Sequence, residues 1–245
     1  MNDPLVIAAL FLGTFPAFSE IPASDLKSIV EGSGAGISWQ QFERLAGPQR
    51  MNAAVRIGSA LAHAIPHQAA WQSAKDLPPG DDREWLMRGI LLELAAQDAP
   101  AGFRDLTELP AGGERILLAR AFFGKWAALA PAKAADSVAG LPAGDTRDAA
   151  LDEVLKAWAA ADGPAAAQWV WHLPATVAGP PQPLQIFGMA GQVTLTGVHY
   201  DRGQAVQVAV FEWAKRDHRA ALAWAKQVAD PALRVVLNGL IAGER

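Results

Sequence analysis

LPAGGERILLARAFFGKWAALAPAKAADSVAG (residues 109–140) runs directly into LPAGDTRDAALDEVLKAWAAADGPAAAQWVWH (residues 141–172), and the two stretches align without a gap over their whole length. Leu-Pro-Ala-Gly opens both, Arg115 and Arg147 share a position, and Trp126 and Trp158 follow eleven residues later. The beat extends outward. Arg83 precedes Arg115 by thirty-two positions, the same step as Arg115 to Arg147. Leu77-Pro78-Pro79-Gly80 stands before it, and Leu94 takes the tryptophan position. Downstream, Arg202 and Arg234 are separated by the same step, and Trp213 follows Arg202 by eleven. A second apolar marker, Phe103, Ala135, Trp169 and Trp224, follows each arginine by twenty to twenty-two positions. Such a period marks a helical-hairpin repeat, in which each pair of helices buries its apolar face only by stacking on its neighbours.

The grammar of each unit is helical. Apolar residues recur at helical spacing, as in Leu86, Ile90 and Leu94 or Leu151, Val154, Leu155 and Trp158. Asp81 or Asp82, Asp145 or Thr146, and Asp201 are expected to cap the first helix, because their side chains accept bonds from free N–H groups and their charge suits the helix dipole. Asp98-Ala99-Pro100, Ala130-Pro131 and Asp162-Gly163-Pro164 are expected to open the second helix. Leu-Pro-x-Gly closes it, since neither Pro nor Gly continues a helix. The expected fold is therefore all-α: a right-handed α-solenoid of about five 32-residue helix-turn-helix repeats, near 50–80, 81–112, 113–144, 145–176 and 201–230. Residues 1–49 read as an N-terminal helical cap, with short helices at Asp25–Glu31 and Ser38–Leu45, and residues 231–242 as a C-terminal cap helix within the repeat domain 50–245.

The beat breaks once. From Arg147 to Arg202 the step is fifty-five, one period of thirty-two plus an extra twenty-three, and the extra piece is residues 176–198. It holds Ile186, Phe187, Met189, Val193 and Leu195, and its Gln192–Val198 stretch alternates like a short strand. Insertions in repeat proteins fall on one face, often the binding face, and a merely tolerated loop would be more polar.

Composition narrows the function classes. Hydrophobic residues are 51% and charged residues 19%, which is folded rather than disordered composition. Net charge is −4 without a basic cluster, which argues against a phosphate-backbone partner, so no nucleic acid is expected. There is no Cys, which excludes disulfides and Cys-based zinc sites. The apolar run Leu5–Phe18 is short for a span and lacks a basic region before it, so a first helix of the cap is favoured over a signal or anchor at 4–19. A cytoplasmic location is expected unless that run directs export.

No catalytic signature stands out. His63 and His67 have the i, i+4 spacing of a metal pair, but Pro66 separates them and no further ligand recurs. Gly32–Gly36 is glycine-rich without the Gly-Lys-Ser/Thr ending of a phosphate loop. No Gly-x-Ser-x-Gly or His-Glu-x-x-His is present. No metal or cofactor is expected. The sharpest candidates are the arginines Arg83, Arg115, Arg147 and Arg202: stacked guanidinium groups can grip carboxylates or phosphates bidentately, or each can pair with an acid near its own cap, such as Glu84, Glu114, Asp148 or Asp201, or bond the C-terminal carbonyls of the preceding repeat. Trp126, Trp158 and Trp213 read as core. Trp171 reads as an exposed interface residue beside His172, and His199-Tyr200-Asp201 is the one compact polar trio beside the insertion.

The period resembles the tetratricopeptide, Sel1-like and HEAT class of α-solenoids over about residues 50 to 245. It departs from it in its length of 32 and in lacking Trp-x-x-Leu-Gly-x-x-Tyr. The phrase Trp-Ala-x-x-Asp-x-x-Ala-Ala-x-x-Trp, at Trp158–Trp169 and Trp213–Trp224, is similar to a motif of uncharacterised bacterial repeat proteins. The class implies a concave surface that binds peptides or proteins. The expected function is thus a non-enzymatic scaffold whose partner, a protein or peptide, meets Trp171, His172, Phe187, Met189, His199, Tyr200 and the arginines. The alternatives are a small-ligand binder or enzyme with a pocket beside the insertion, and a homo-oligomer joined through it.

Overall fold

The structure, a computed structural model, describes residues 23–173, 183–188, 191–196 and 201–243. The stretch 4–19, part of the insertion 176–198, and Met189, His199 and Tyr200 lie outside the described residues. The fold is all-α apart from one two-stranded hairpin, and the described residues form thirteen helices. The chain divides into two compact units, Met1–Glu93 and Leu94–Arg245. In the first, α1 (Ala23–Gly32) and α2 (Trp39–Glu43) both pack on α3 (Gly47–Ala64).

In the first unit α3 is followed by α4 (His67–Lys75) and by the start of α5 (Asp81–Gln97). Helices α3 and α5 touch backbone to backbone. A Cβ on Gly89 would lie 2.9 Å from Ser59 N and 3.0 Å from Gly58 Cα, and closer still to Val55 O. Gly58 meets Leu86 O in the same way. Only glycine at both positions permits the approach.

The second unit holds α6 (Ala99–Glu108), α7 (Gly113–Leu129), α8 (Pro131–Ala139), α9 (Asp145–Ala161), α10 (Gly163–Trp171), β1 (Pro183–Gly188), β2 (Gly191–Thr196), α11 (Arg202–Ala214), α12 (His218–Ala225) and α13 (Pro231–Ala242). First helices pack on first helices, α7 on α9, α9 on α11 and α11 on α13. Each second helix also packs on the next first helix, as α6 on α7, α8 on α9, α10 on α11 and α12 on α13. The turn between the two helices of a pair has one geometry throughout. Asp98, Ala130, Asp162 and Asp217 have φ/ψ of −146/70, −148/71, −146/85 and −140/79. Their steps along the chain copy those of the arginines, two of thirty-two and then one of fifty-five. At each turn the backbone N–H bonds the carbonyl of Leu94, Trp126, Trp158 or Trp213. Asp98, Asp162 and Asp217 also accept from the N–H three residues on, at 3.2, 3.1 and 2.9 Å, and so cap the second helix, the first two as expected.

The start of the first helix differs from expectation. Gly112 and Gly144, rather than an Asp or Thr, are the N-caps of α7 and α9, with φ of 159° and 144° and no side-chain cap. Gly80 has φ 154° at the same point. Side chains rarely adopt this backbone, so the glycine of Leu-Pro-x-Gly is required by conformation and displaces the capping side chain. Asp145 lies inside the helix, in its first turn, where its charge still favours the dipole. Asp201 alone of the expected first-helix caps forms a capping box, with Gln204, at the start of α11.

The tryptophans read as core are in the core. Trp126, Trp158 and Trp213 are buried, and the two apolar markers meet, Trp158 to Trp169 at 5.8 Å and Trp213 to Trp224 at 6.3 Å between ring centres. Packing is compensated between units of the beat. Phe122 fills the place held by Val154 and Ala209, and opposite it Gly102 replaces the alanine found at Ala134, Ala166 and Ala221. A Cβ on Gly102 would come within 2.6 Å of the Phe122 ring.

Candidate functional site

The insertion leaves the helix packing continuous. Thirty residues separate Trp171 from Arg202, yet α11 lies on α9 and α10 as α9 lies on α7 and α8. Trp171 ends α10 and Arg202 begins α11, and the Arg202 guanidinium sits 5.2 Å over the Trp171 ring. Two residues chosen from sequence are thus brought together, as a clasp at the two feet of the insertion. Such a contact contributes about 0.5–1 kcal/mol at a partly exposed site. Trp171, expected to be exposed, is half-buried by this clasp. His172 is exposed and its Nδ1 lies 2.7 Å from Gln168 O.

Within the insertion the structure has two strands where the sequence pattern suggested one. β1 pairs antiparallel with β2, setting Leu184 opposite Leu195, Ile186 opposite Val193 and Phe187 opposite Gln192. The run from Pro183 to Gly188 supplies the extra strand. β1 packs beside α7.

Arg115 and Arg234 of the series, and Arg50 before it, donate to carbonyls at or just past the end of the preceding helix. Arg115 Nη1 donates to Leu109 O at 3.2 Å, the carbonyl at the C-terminus of α6. Arg234 Nη1 donates to Val228 O at 3.4 Å, again six residues back. Arg50, at the start of the regular part, donates through Nη1 to Phe42 O, Glu43 O and Leu45 O at 3.3, 3.2 and 3.1 Å. Its Nε and Nη2 grip the Asp82 carboxylate at 2.7 and 2.6 Å, and its guanidinium covers the Phe42 ring at 4.5 Å. The hydrogen bonds to Asp82 hold the Arg50 guanidinium above its ordinary pKa. Helix ends leave carbonyls without partners, and a guanidinium fork satisfies several at once. Arg83 and Arg147 occupy the same point of α5 and α9 and are half-buried.

Two further features escaped the sequence reading. Arg56, Arg88 and Arg120 form a second series on the same step, visible in the sequence once the first is known. Arg120 faces Glu153 at 3.9 Å. In the first unit a cleft of about 340 Å³ is lined by Ser33, Gly34, Ala35, Arg56, Ser59, Ala60 and His63. Beside it Glu93 accepts from Ser59 Oγ at 2.7 Å and lies 2.9 Å from His63 Nε2. His63, considered as half of a metal pair, is thus turned to Glu93, and no group of three metal-ligating side chains occurs among the described residues.

No described helix is long and apolar enough to cross a membrane. Compared with protein-family models, curated proteins and solved structures, the chain gives no significant match.

Proposed function

We propose that the chain is a non-enzymatic protein-interaction scaffold, a right-handed α-solenoid of about five helix pairs that binds a segment of a partner protein along its first helices and at the insertion. The observation that carries this reading is the direct packing of α11 on α9 and α10 across thirty intervening residues. The helix packing passes the insertion by, and the insertion carries apolar residues and sets β1 beside α7. Repeat proteins bind extended segments on such rows, with aromatic residues as anchors. Trp171, His172 and Arg202 at its feet, with Phe187, Met189, His199 and Tyr200 in or beside it, are the proposed contacts.

The test is to pass native-source lysate over the immobilised chain and over a variant lacking residues 176–198, both first matched in helicity and melting. A protein retained only by the intact chain supports the insertion as the site, and one retained by both places it on the helices. Retention of no protein by either contradicts the scaffold. The second reading, a small-ligand binder, is favoured by the cleft lined by Arg56, Ser59 and His63, the last two held by Glu93 beside it. It predicts a rise in melting temperature with a small carboxylate or phosphate that is lost in Arg56→Ala.

A further inference from the structure

The cleft over α3 joins one uncommitted cation to acceptors whose protons are already spent. Arg56 stands exposed on its wall and makes no hydrogen bond or ion pair among the described residues. Arg120, one period on in the same series, faces Glu153. The acid beside the cleft, Glu93, is engaged elsewhere: one carboxylate oxygen accepts from Ser59 Oγ at 2.7 Å and the other lies 2.9 Å from His63 Nε2.

Both serines of the lining have committed their hydroxyl protons. Ser59 donates to Glu93, and Ser33 Oγ donates to Val30 O at 2.8 Å. A hydroxyl has one proton and two lone pairs, so towards the cleft these oxygens accept. The backbone N–H groups of Gly34 and Ala35 make no hydrogen bond among the described residues. Gly34 has φ 75°, and turns through this left-handed region gather N–H groups into anion-binding concavities. Ala35 and Ala60 make the remaining wall small and uncharged.

We propose that the cleft binds a small 2-hydroxy monocarboxylate; this rests on the reading of the cleft as a small-ligand site. The carboxylate meets the Arg56 guanidinium, whose fork matches it, and the N–H groups of the turn. The hydroxyl beside it donates to the serine oxygens. An ammonium group in that place fits less well, because it brings three donors and sets its charge beside Arg56. A phosphate fits less well too: it carries about 1.5–2 negative charges at pH 7, more than one cation offsets with Glu93 close by. At about 340 Å³ the cleft is small for a ligand site, which suits a molecule of this size.

Two-dimensional ¹H–¹⁵N NMR on the full chain tests this, with sodium lactate titrated against sodium chloride at equal ionic strength. Lactate should shift the Gly34 and Ala35 amides saturably, with half-saturation at about 1–10 mM, as befits one exposed cation. Arg56→Gln, at an exposed position and checked for unchanged melting, should weaken this at least about tenfold. Propionate, which lacks the hydroxyl, and inorganic phosphate should each bind at least about fivefold more weakly than lactate. Propionate or phosphate binding as tightly as lactate overturns the proposal while the cleft remains a small-ligand site. Lactate binding that is unchanged in Arg56→Gln also overturns it. If none of the three shifts these amides, the proposal falls and the small-ligand reading falls with it.

Discussion

Replacing Gly89 by alanine should destabilise the protein, although the same change is ordinarily favourable in a helix. Gly89 lies inside α5, where alanine gains about 0.5–1 kcal/mol over glycine. Against this, the added methyl group would sit 2.9 Å from Ser59 N and 3.0 Å from Gly58 Cα, and nearer still to Val55 O. All three are atoms of the facing backbone, which cannot rotate aside as a side chain can. Helices α3 and α5 must move apart, and overpacking of this kind costs about 1–3 kcal/mol or more. The net expectation is a loss of about 1–2 kcal/mol. Gly124 supplies the control, since it too lies inside a helix but its Cβ would meet only the Glu153 side chain, at 3.8 Å. Gly124→Ala should therefore stabilise by about 0.5–1 kcal/mol. Urea unfolding followed by circular dichroism reads both. Equal and favourable effects at the two sites would refute the backbone crossing.

Other substitutions separate the roles assigned to the beat. Arg115→Met should cost about 1–2 kcal/mol in urea unfolding, because a charge-assisted bond to Leu109 O is lost at the end of α6; no loss would mean that the arginine serves only solvent. Asp201→Ala should cost about 1 kcal/mol, as a capping box is removed. Asp145→Ala should cost about half that or less, because Gly144 holds the cap position and only the dipole term is lost. Gly144→Ala should lower stability by about 1–3 kcal/mol through backbone strain at φ 144°, measured by thermal melting against wild type.

The period was legible because it is written in several residue types at once. Arginine, tryptophan and Leu-Pro-x-Gly repeat in phase, and the structure gives the turns at Asp98, Ala130, Asp162 and Asp217 one geometry. The burial of Trp126, Trp158 and Trp213 followed from their place among apolar neighbours. What each repeated residue does was less legible. Asp145 and Gly144 are both credible caps in sequence, and only the backbone angle at Gly144 decides between them. The crossing at Gly58 and Gly89 is silent in sequence, since a glycine that marks close approach looks like any other. Leu184 and Ile186 carry a weak strand signal in sequence, since Pro181 and Pro183 stand at the edge and the residue that faces Leu184 is eleven positions on. The clasp between Trp171 and Arg202 joins residues thirty-one apart, and no local pattern points to it. For the candidate site, sequence supplied the insertion and its feet, while the cleft needed the Ser33–Ala35 segment to be placed over α3.

The continuous packing of α11 on α9 and α10 is tested most directly by deleting residues 176–198 and measuring urea unfolding and helicity. The deletion restores the step from Arg147 to Arg202 to one period of the beat. Shortening a loop from thirty residues to seven lowers its closure cost by about 1 kcal/mol, offset by whatever the hairpin gives beside α7. A cooperative transition with unchanged helicity and a stability within about 1 kcal/mol of the intact chain is expected. Loss of cooperativity, or a drop of several kcal/mol, would mean that the insertion holds the two sets of helices together and would contradict a stack that passes it by.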